Sequence, residues 1–466
     1  MKNATKSRSR SWAASRPSAA SKTATAPPAT TNTPALQTNG PQFAEPVATP
    51  DPTKFTVKHG SDKAAYTILD KQKKKLPSPF PGVAGTDEPV LTLADALGSK
   101  GEDIEEEITN AGQIVFHSLG DTGNVQGPKD QNLVVDKMVS DYDETDPRAV
   151  PSFCYHLGDV VYSFGESQYY YDQFYDAYRD YPAPIFAIPG NHDGMVAPNT
   201  NVDTLAAFLE NFCQAGQPSH RTEDAGQLAR TAQVQPGVYF TLEAPYVRIL
   251  GLYSNCLEDP GIISQQSGMK TSYPNLTNVQ LTFLNAALNR VETEKFAGAV
   301  IIAVHHPPYV AARSSGKSVP QKHSANALML QDIDSACEAT GVWPHAILSG
   351  HAHNYQRFTR AKDGRQTPFV VIGNGGHAPI QKLTTKSTPT LRTPAAQPSL
   401  SDGDDTVTFE SYDDSGFGYL RIIADPAQLR IEYHPASDGD LQKTPDDSVT
   451  VDLSSRTLIH YQAATA

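Results

Sequence analysis

The sequence predicts an α/β fold whose central strands are buried and largely parallel. Two observations carry this. Short apolar runs of strand length alternate with stretches in which apolar residues recur at helical spacing. Five of the apolar runs also end in a polar residue able to bind a metal, and open α/β sheets present their sites just beyond the carboxyl ends of their strands. With 466 residues the chain can bury a large core, as one big α/β domain or two smaller ones.

Residues 1–50 are low-complexity Ser, Thr, Ala and Pro with scattered Lys2, Lys6, Arg8, Arg10, Arg16 and Lys22. Such a segment cannot bury enough apolar surface to order itself, so a disordered tail is expected. It has no apolar h-region, which argues against a secretory signal; an Arg- and Ser-rich, acid-poor transit peptide is the alternative. Residues 51–110 read as an N-terminal lead-in, in which 54–81 is a surface segment with the basic cluster Lys71, Lys73, Lys74 and Lys75 as a solvated face. The catalytic domain is expected over 111–466.

Within it the first strand is Gln113-Ile114-Val115-Phe116, running into Gly120-Asp121-Thr122-Gly123. The second is Phe153 to Leu157, ending in Gly158-Asp159-Val160-Val161-Tyr162. A Tyr-rich helical stretch is expected over 166–181. The strand Pro184 to Ile188 ends in Pro189-Gly190-Asn191-His192-Asp193. A helix over 201–215 has Leu205, Phe208, Leu209 and Phe212 on one face, and a strand follows at 246–253. Thr277 or Asn278 can cap a helix carrying Leu281, Leu284, Leu288 and Val291. The strand 299–304 ends in His305-His306, and a helix over 326–339 leads to Ala346-Ile347-Leu348 and Gly350-His351-Ala352-His353. The strand 369–372 ends in the Gly-rich turn 373–377, and 384–415 reads as a polar insertion over the pocket. Residues 418–423 and 429–433 read as a closing hairpin.

Composition excludes several classes. A net charge of −13 argues against nucleic acid as the main partner, because that affinity rests on a basic surface. No apolar run reaches the roughly 18 residues a membrane helix needs. No protein partner is evident. The cytoplasm is the default compartment, with secretion the alternative. The four cysteines, Cys154, Cys213, Cys256 and Cys337, form no CxxC pair, so a zinc knuckle is not expected. Cys154 and Cys337 read as buried thiols, and a Cys213–Cys256 disulfide stays open.

The chemistry-bearing residues are Asp121, Asp159, Asn191, His305, and His351 with His353, each just past an apolar strand. Gly-Asp and Gly-Asn are also common turn chemistry, and a pair of histidines in a loop can be mere surface. Five strand ends in one phase are better explained by convergence on a site.

In order, Gly-Asp, Gly-Asp-x-x-Tyr, Gly-Asn-His-Asp, a His after an apolar strand, and Gly-His-x-His resemble the signature of the calcineurin-like metallophosphoesterases, over about 121–353. The resemblance implies a β-sandwich flanked by helices (αββα) with a dinuclear metal site. Many members carry a His two residues after the first Asp, where this chain has Gly123. Gly-Asp-x-Gly with Gly-Asp-x-x-Tyr resembles the purple acid phosphatase branch, in which the Tyr binds ferric iron, a hard ion suited to anionic oxygen. The alternative for Tyr162 is a ring buried in the turn.

Carried over position by position, the resemblance implies that Asp121, Tyr162 and His353 hold Fe(III). Asn191, His305 and His351 then hold a divalent ion (Zn, Mn or Fe), and Asp159 bridges. The implied reaction is hydrolysis of a small phosphate monoester by a hydroxide bridging the two metals. His192 would protonate the leaving group or stabilise the transition state; orienting its neighbours is the alternative. His323 is a candidate phosphate contact, His377 and Tyr309 candidate pocket wall, and Asp193 a partner to the ligands. His306, next to His305, is the competing ligand. The Asp-Arg-Gly step of Ser/Thr protein phosphatases is absent. A separate N-terminal β-domain like that of plant purple phosphatases has no room unless 54–110 forms a reduced version. A phosphodiesterase or nucleotidase on the same metals is the competing activity, and a metal- or phosphate-binding protein without turnover the competing class.

Overall fold

Pairing of the apolar runs produces two large sheets. The computed structural model describes residues 87–124, 127–143, 146–195, 203–214, 222–225, 234–254, 261–264, 277–314, 317–322, 328–436 and 444–460. The tail 1–50, the start of the lead-in, Cys256 and His323 lie outside the described residues.

The first sheet has seven strands. β2 (Ile114–Leu119), β3 (Cys154–His156) and β4 (Ile185–Ala187) are parallel neighbours, with Leu119 beside His156 and His156 beside Ala187. β15 (Gly418–Ala424) runs antiparallel beside β2 and forms the expected hairpin with β16 (Gln428–Pro435). β17 (Asp447–Asp452) and β18 (Leu458–Ile459) complete it. The second sheet has nine strands. Its parallel centre is β6 (Val247–Leu252), β7 (Ala299–Val304), β10 (Ala346–Ser349) and β12 (Arg365–Ile372). β5 (Phe240–Ala244) and β1 (Val90–Thr92) extend one edge; β11 (Tyr355–Lys362), β14 (Thr406–Asp413) and β13 (Ala395–Ala396) extend the other. A separate ribbon joins β8 (Tyr309–Ser314) to β9 (Lys317–Lys322). Every residue of β2, β6, β7 and β10 is buried, which is why these strands read as unbroken apolar runs. One apolar core draws residues from both sheets, among them Phe116, Tyr155, Ile249, Ile302 and Leu348.

Helices flank both sheets, giving the mixed α/β sandwich. Of those on the first sheet, α2 (Gly101–Ala111) packs against β2 and α3 (Lys129–Ser140) against β15. On the second, α6 (Val279–Thr293) packs against β6 and against α7 (Leu328–Thr340). The short α1 (Leu93–Leu97), α4 (Asn191–Gly194) and α5 (Ala206–Phe212) complete the set. Among the described residues no helix is long and apolar enough to cross a membrane.

Several sequence expectations are corrected. Within the N-terminal lead-in, β1 pairs with β5 and α1 buries Leu93. The stretch 166–181 is not one helix. It forms a 3-10 turn at 167–169 and a π turn at 171–175, with Tyr170, Phe174, Tyr175, Tyr178 and Tyr181 all buried. The polar insertion contains β14, whose Val407 and Phe409 are buried and which pairs along β11. Asn278 does stand where α6 begins, yet its side chain makes no cap bond there. Tyr309 is core rather than pocket wall, fully buried against Phe369 at 4.7 Å between ring centroids. Cys154, Cys213 and Cys337 are free thiols.

Candidate metal centre

The parallel strands of the two sheets end on one side, and the loops leaving them cross-bond. Asp121 N–H donates to Gly158 O (2.9 Å), Thr122 N–H to Asp159 O (3.1 Å) and Gly350 N–H to His305 O (3.0 Å). The chain cannot carry bulk where these loops meet. A Cβ on Gly158 would stand 2.5 Å from Gly190 N and 2.8 Å from His305 Nδ1, and φ is +97° there, so glycine is required twice over.

Seven predicted side chains converge there. The Tyr162 hydroxyl lies 2.9 Å from Asp159 Oδ2, 3.1 Å from Asp121 Oδ1 and 3.3 Å from His353 Nε2. Beside this set, Asn191 Oδ1 lies 3.1 Å from His305 Nε2 and 3.0 Å from His351 Nδ1. His305 Nε2 is 3.4 Å from Asp159 Oδ2, so Asp159 belongs to both sets. Ligand atoms of Asp121, Asp159 and His305 lie within 4.8 Å of one another, and all three residues are buried.

The donor set fits cations. Two carboxylates that are 0% and 1% exposed face a phenol, an amide oxygen and imidazole nitrogens, a hard oxygen-and-nitrogen array. Burial alone would lower the pKa of His305. The Asp159 carboxylate and then Asp121 outweigh it and lift it to about 9. Burial would likewise raise Asp159, but His305, His192 and His351 hold it well below the usual carboxylate range. The His305 imidazolium thus supplies positive charge that a metal would replace on displacing its proton.

The residues around these ligands fix them. Asp193 accepts from Val160 N (3.0 Å), Val161 N (3.2 Å) and Gly190 N (2.9 Å), tying the second motif to the third. Burial, then the Asp159 charge, push Asp193 up to about 7. His192 N–H donates to Asp159 Oδ1 (2.8 Å), and His192 Nδ1 lies 2.8 Å from Ser163 O. A carbonyl only accepts, so Nδ1 carries the hydrogen. His306 Nδ1 lies 2.8 Å from Ser254 Oγ and its ring centroid 4.3 Å from that of His351, while His305 faces Asp159 and Asn191.

Three contacts were not legible in sequence. Gln173 clasps both backbone groups of Tyr162, accepting from its N–H at 2.9 Å and donating to its C=O at 2.8 Å. His156 Nε2 meets Thr122 Oγ1 at 2.9 Å, and burial followed by the His305 charge lowers its pKa to about 3. His377 stacks on the Tyr162 ring. No spacing rule points to Gln173 or His156; the Gly-rich turn was the available signal for His377.

A model of the calcineurin-like phosphoesterase family matches residues 117–355, about half of the chain. The chain belongs to this family. That span holds all seven convergent residues and His192. No curated protein matches the sequence. Among solved structures, the chain is similar to a purple acid phosphatase from yellow lupin (Lupinus luteus) seeds. That match has 16% identity and TM-score 0.46, over 76% of this chain and 57% of that one. It therefore spans little more than half the length of the lupin protein. It is also similar to PhoD, at 11% identity and TM-score 0.41, over 76% of this chain and 72% of that one. A predicted phosphoesterase from Streptococcus pneumoniae matches at 8% identity and TM-score 0.25, over 73% of this chain and 98% of that one.

Proposed function

We propose that this phosphoesterase hydrolyses small phosphate monoesters at a dinuclear centre of the purple acid phosphatase type. The observation that carries the reading is the position of the Tyr162 hydroxyl among Asp121, Asp159 and His353, on the side where Gly123 offers no imidazole. Asp121, Tyr162 and His353 would hold Fe(III). Asn191, His305 and His351 would hold a divalent Zn, Mn or Fe ion, with Asp159 shared. When bound, two such cations make a water nucleophilic and neutralise charge on the phosphoryl oxygens. His192 acts on the substrate side. With Nδ1 fixed by Ser163 O, its Nε2 donates a proton to the leaving alkoxide. The buried loops around Asp159 and Asp193 keep bulk water from these carboxylates, which strengthens every charge interaction at the centre.

Two measurements test this. The iron-loaded protein should absorb in the visible, and Tyr162→Phe should abolish the band; a colourless active enzyme removes the purple branch. Rates on p-nitrophenyl phosphate should exceed those on its bis-ester. The reverse order assigns a phosphodiesterase, and two bound metals with neither rate measurable assign a binding protein.

A further inference from the structure

The Tyr162 ring is held on both faces. His377 stacks on it with 3.6 Å between ring centroids and 20° between planes. His192 lies 4.1 Å from the same centroid at 38°. Two rings cannot share one face of a phenol at those distances, so the imidazoles stand on opposite sides. His192 comes from the loop that carries Asn191, whereas His377 comes from the Gly-rich turn after β12.

That turn is laced to the loop carrying Asp121. Gly375 N–H donates to Gly120 O (3.0 Å), His377 N–H to Asp121 O (2.9 Å) and Asn124 Nδ2 to Gly376 O (3.0 Å). The His377 ring is oriented as well. Its Nδ1 is 2.7 Å from Gly123 O, and since that carbonyl only accepts, Nδ1 is the donor. Gly123 is where the family often places an imidazole. Here a Cβ at 123 would stand 2.5 Å from both Gln173 Oε1 and Val160 O. No side chain fits, and the backbone of Gly123 instead anchors an imidazole delivered from about 250 residues later.

We propose that His377 is a positioning residue, which clamps the Tyr162 ring against His192 and so fixes the phenol oxygen between Asp121, Asp159 and His353. Gln173 sets the backbone of Tyr162, and the two imidazoles set its ring plane. The His377 ring also meets that of His353 edge-on, at 4.7 Å between centroids. The inference rests on the reading of Tyr162 as a ligand.

The test uses the full chain and ferric iron alone as the probe, with His377→Ala, His377→Leu, His377→Phe and Tyr162→Phe compared with wild type. The readouts are iron affinity by chelator competition and the position of the visible band. Outer contacts of this kind typically change metal affinity about 10–100-fold. The clamp predicts that loss in His377→Ala and His377→Leu together with a shifted band, while His377→Phe, which keeps a ring face, stays close to wild type. Leu fills the volume, so it decides the matter should Ala not fold. Wild-type affinity and band in His377→Leu overturn the clamp, and so does a loss in His377→Phe equal to that in His377→Leu. Tyr162→Phe separates the two levels. If it alone weakens iron, Tyr162 is a ligand and the clamp is wrong; if it binds iron as wild type does, the ligand reading fails.

Discussion

Gly190 offers a sharp test of the packing at the metal centre. Its backbone is extended, at φ −92° and ψ −169°, so alanine fits the local conformation. The obstacle is Asp159: a Cβ at 190 would stand 2.1 Å from Asp159 Oδ1 and 2.4 Å from Asp159 N. Ordinary contact begins near 3.4 Å, which leaves about 1.3 Å of movement to be found. Asp159 cannot yield it cheaply. Its Oδ1 accepts from His192 N and its carbonyl from Thr122 N, so a shift moves the first and third motifs with it. A displacement of about 1 Å at a reacting centre can cost about 100-fold, or roughly 2.7 kcal/mol of transition-state stabilisation. Gly190→Ala should therefore lower kcat/KM on p-nitrophenyl phosphate by about 100-fold. Overpacking also costs about 1–3 kcal/mol of stability, so the comparison belongs at a temperature where both proteins are folded. A variant within about threefold of wild type, with unchanged metal content, would show that Asp159 does not need this position.

Three further predictions follow from named contacts. His192→Ala should reduce turnover on an alkyl phosphate by about 10²–10⁴-fold at unchanged metal content; full turnover would remove the acid role. Exhaustive chelation should lower the melting temperature, because a ligand held at 100 times its Kd adds about 2.7 kcal/mol to the folded state; identical melts with and without metal would mean that the folded centre binds none. Glu432 is buried, which raises its pKa, but contacts with His434 (3.2 Å), Arg430 (2.6 Å) and Arg421 (3.2 Å) outweigh this and hold it at about 2. Its contribution, on the order of 3 kcal/mol, is thus present above pH ~4.5 and lost as pH falls toward 2. Glu432→Gln should flatten the acid limb of the stability curve, and an unchanged limb in urea melts between pH 2 and 5 would contradict that.

The sequence was most legible where one physical demand acted alone. β2, β7 and β10 are buried on both faces, so their apolar runs stood out, and the polar residue at each end marked the site. Elements serving two demands were obscured. β14 carries an extra residue, Glu410, opposite the step from Arg357 to Phe358 of β11, which breaks the alternation that would have marked it as a strand. α2 buries only Gly101 and Ile108, so no apolar stripe marked it as a helix. The convergent side chains could be singled out because each leaves the loop after a strand end. The groups that hold those side chains, Gln173 and His156 among them, follow no spacing, since any residue reaching the loop from any element serves.

Three of the proposed ligands share a costly backbone. Asp121, Asp159 and His351 have φ of 57°, 55° and 69°, and each directly follows a glycine at the end of a strand. A non-glycine residue in this region costs roughly 1–3 kcal/mol, and it persists only where its surroundings over-determine it. Here they do so through one another. His351 N–H donates to Asp121 Oδ2 at 2.7 Å, Asp121 N–H to Gly158 O, and Thr122 N–H to Asp159 O. Relaxing any one residue would break a bond that sets the next, so the three turns hold or fail together. A metal therefore need not organise these ligands on arrival. The interlocked loops between the two sheets have already met that cost during folding, and the affinity of the centre is correspondingly free of it.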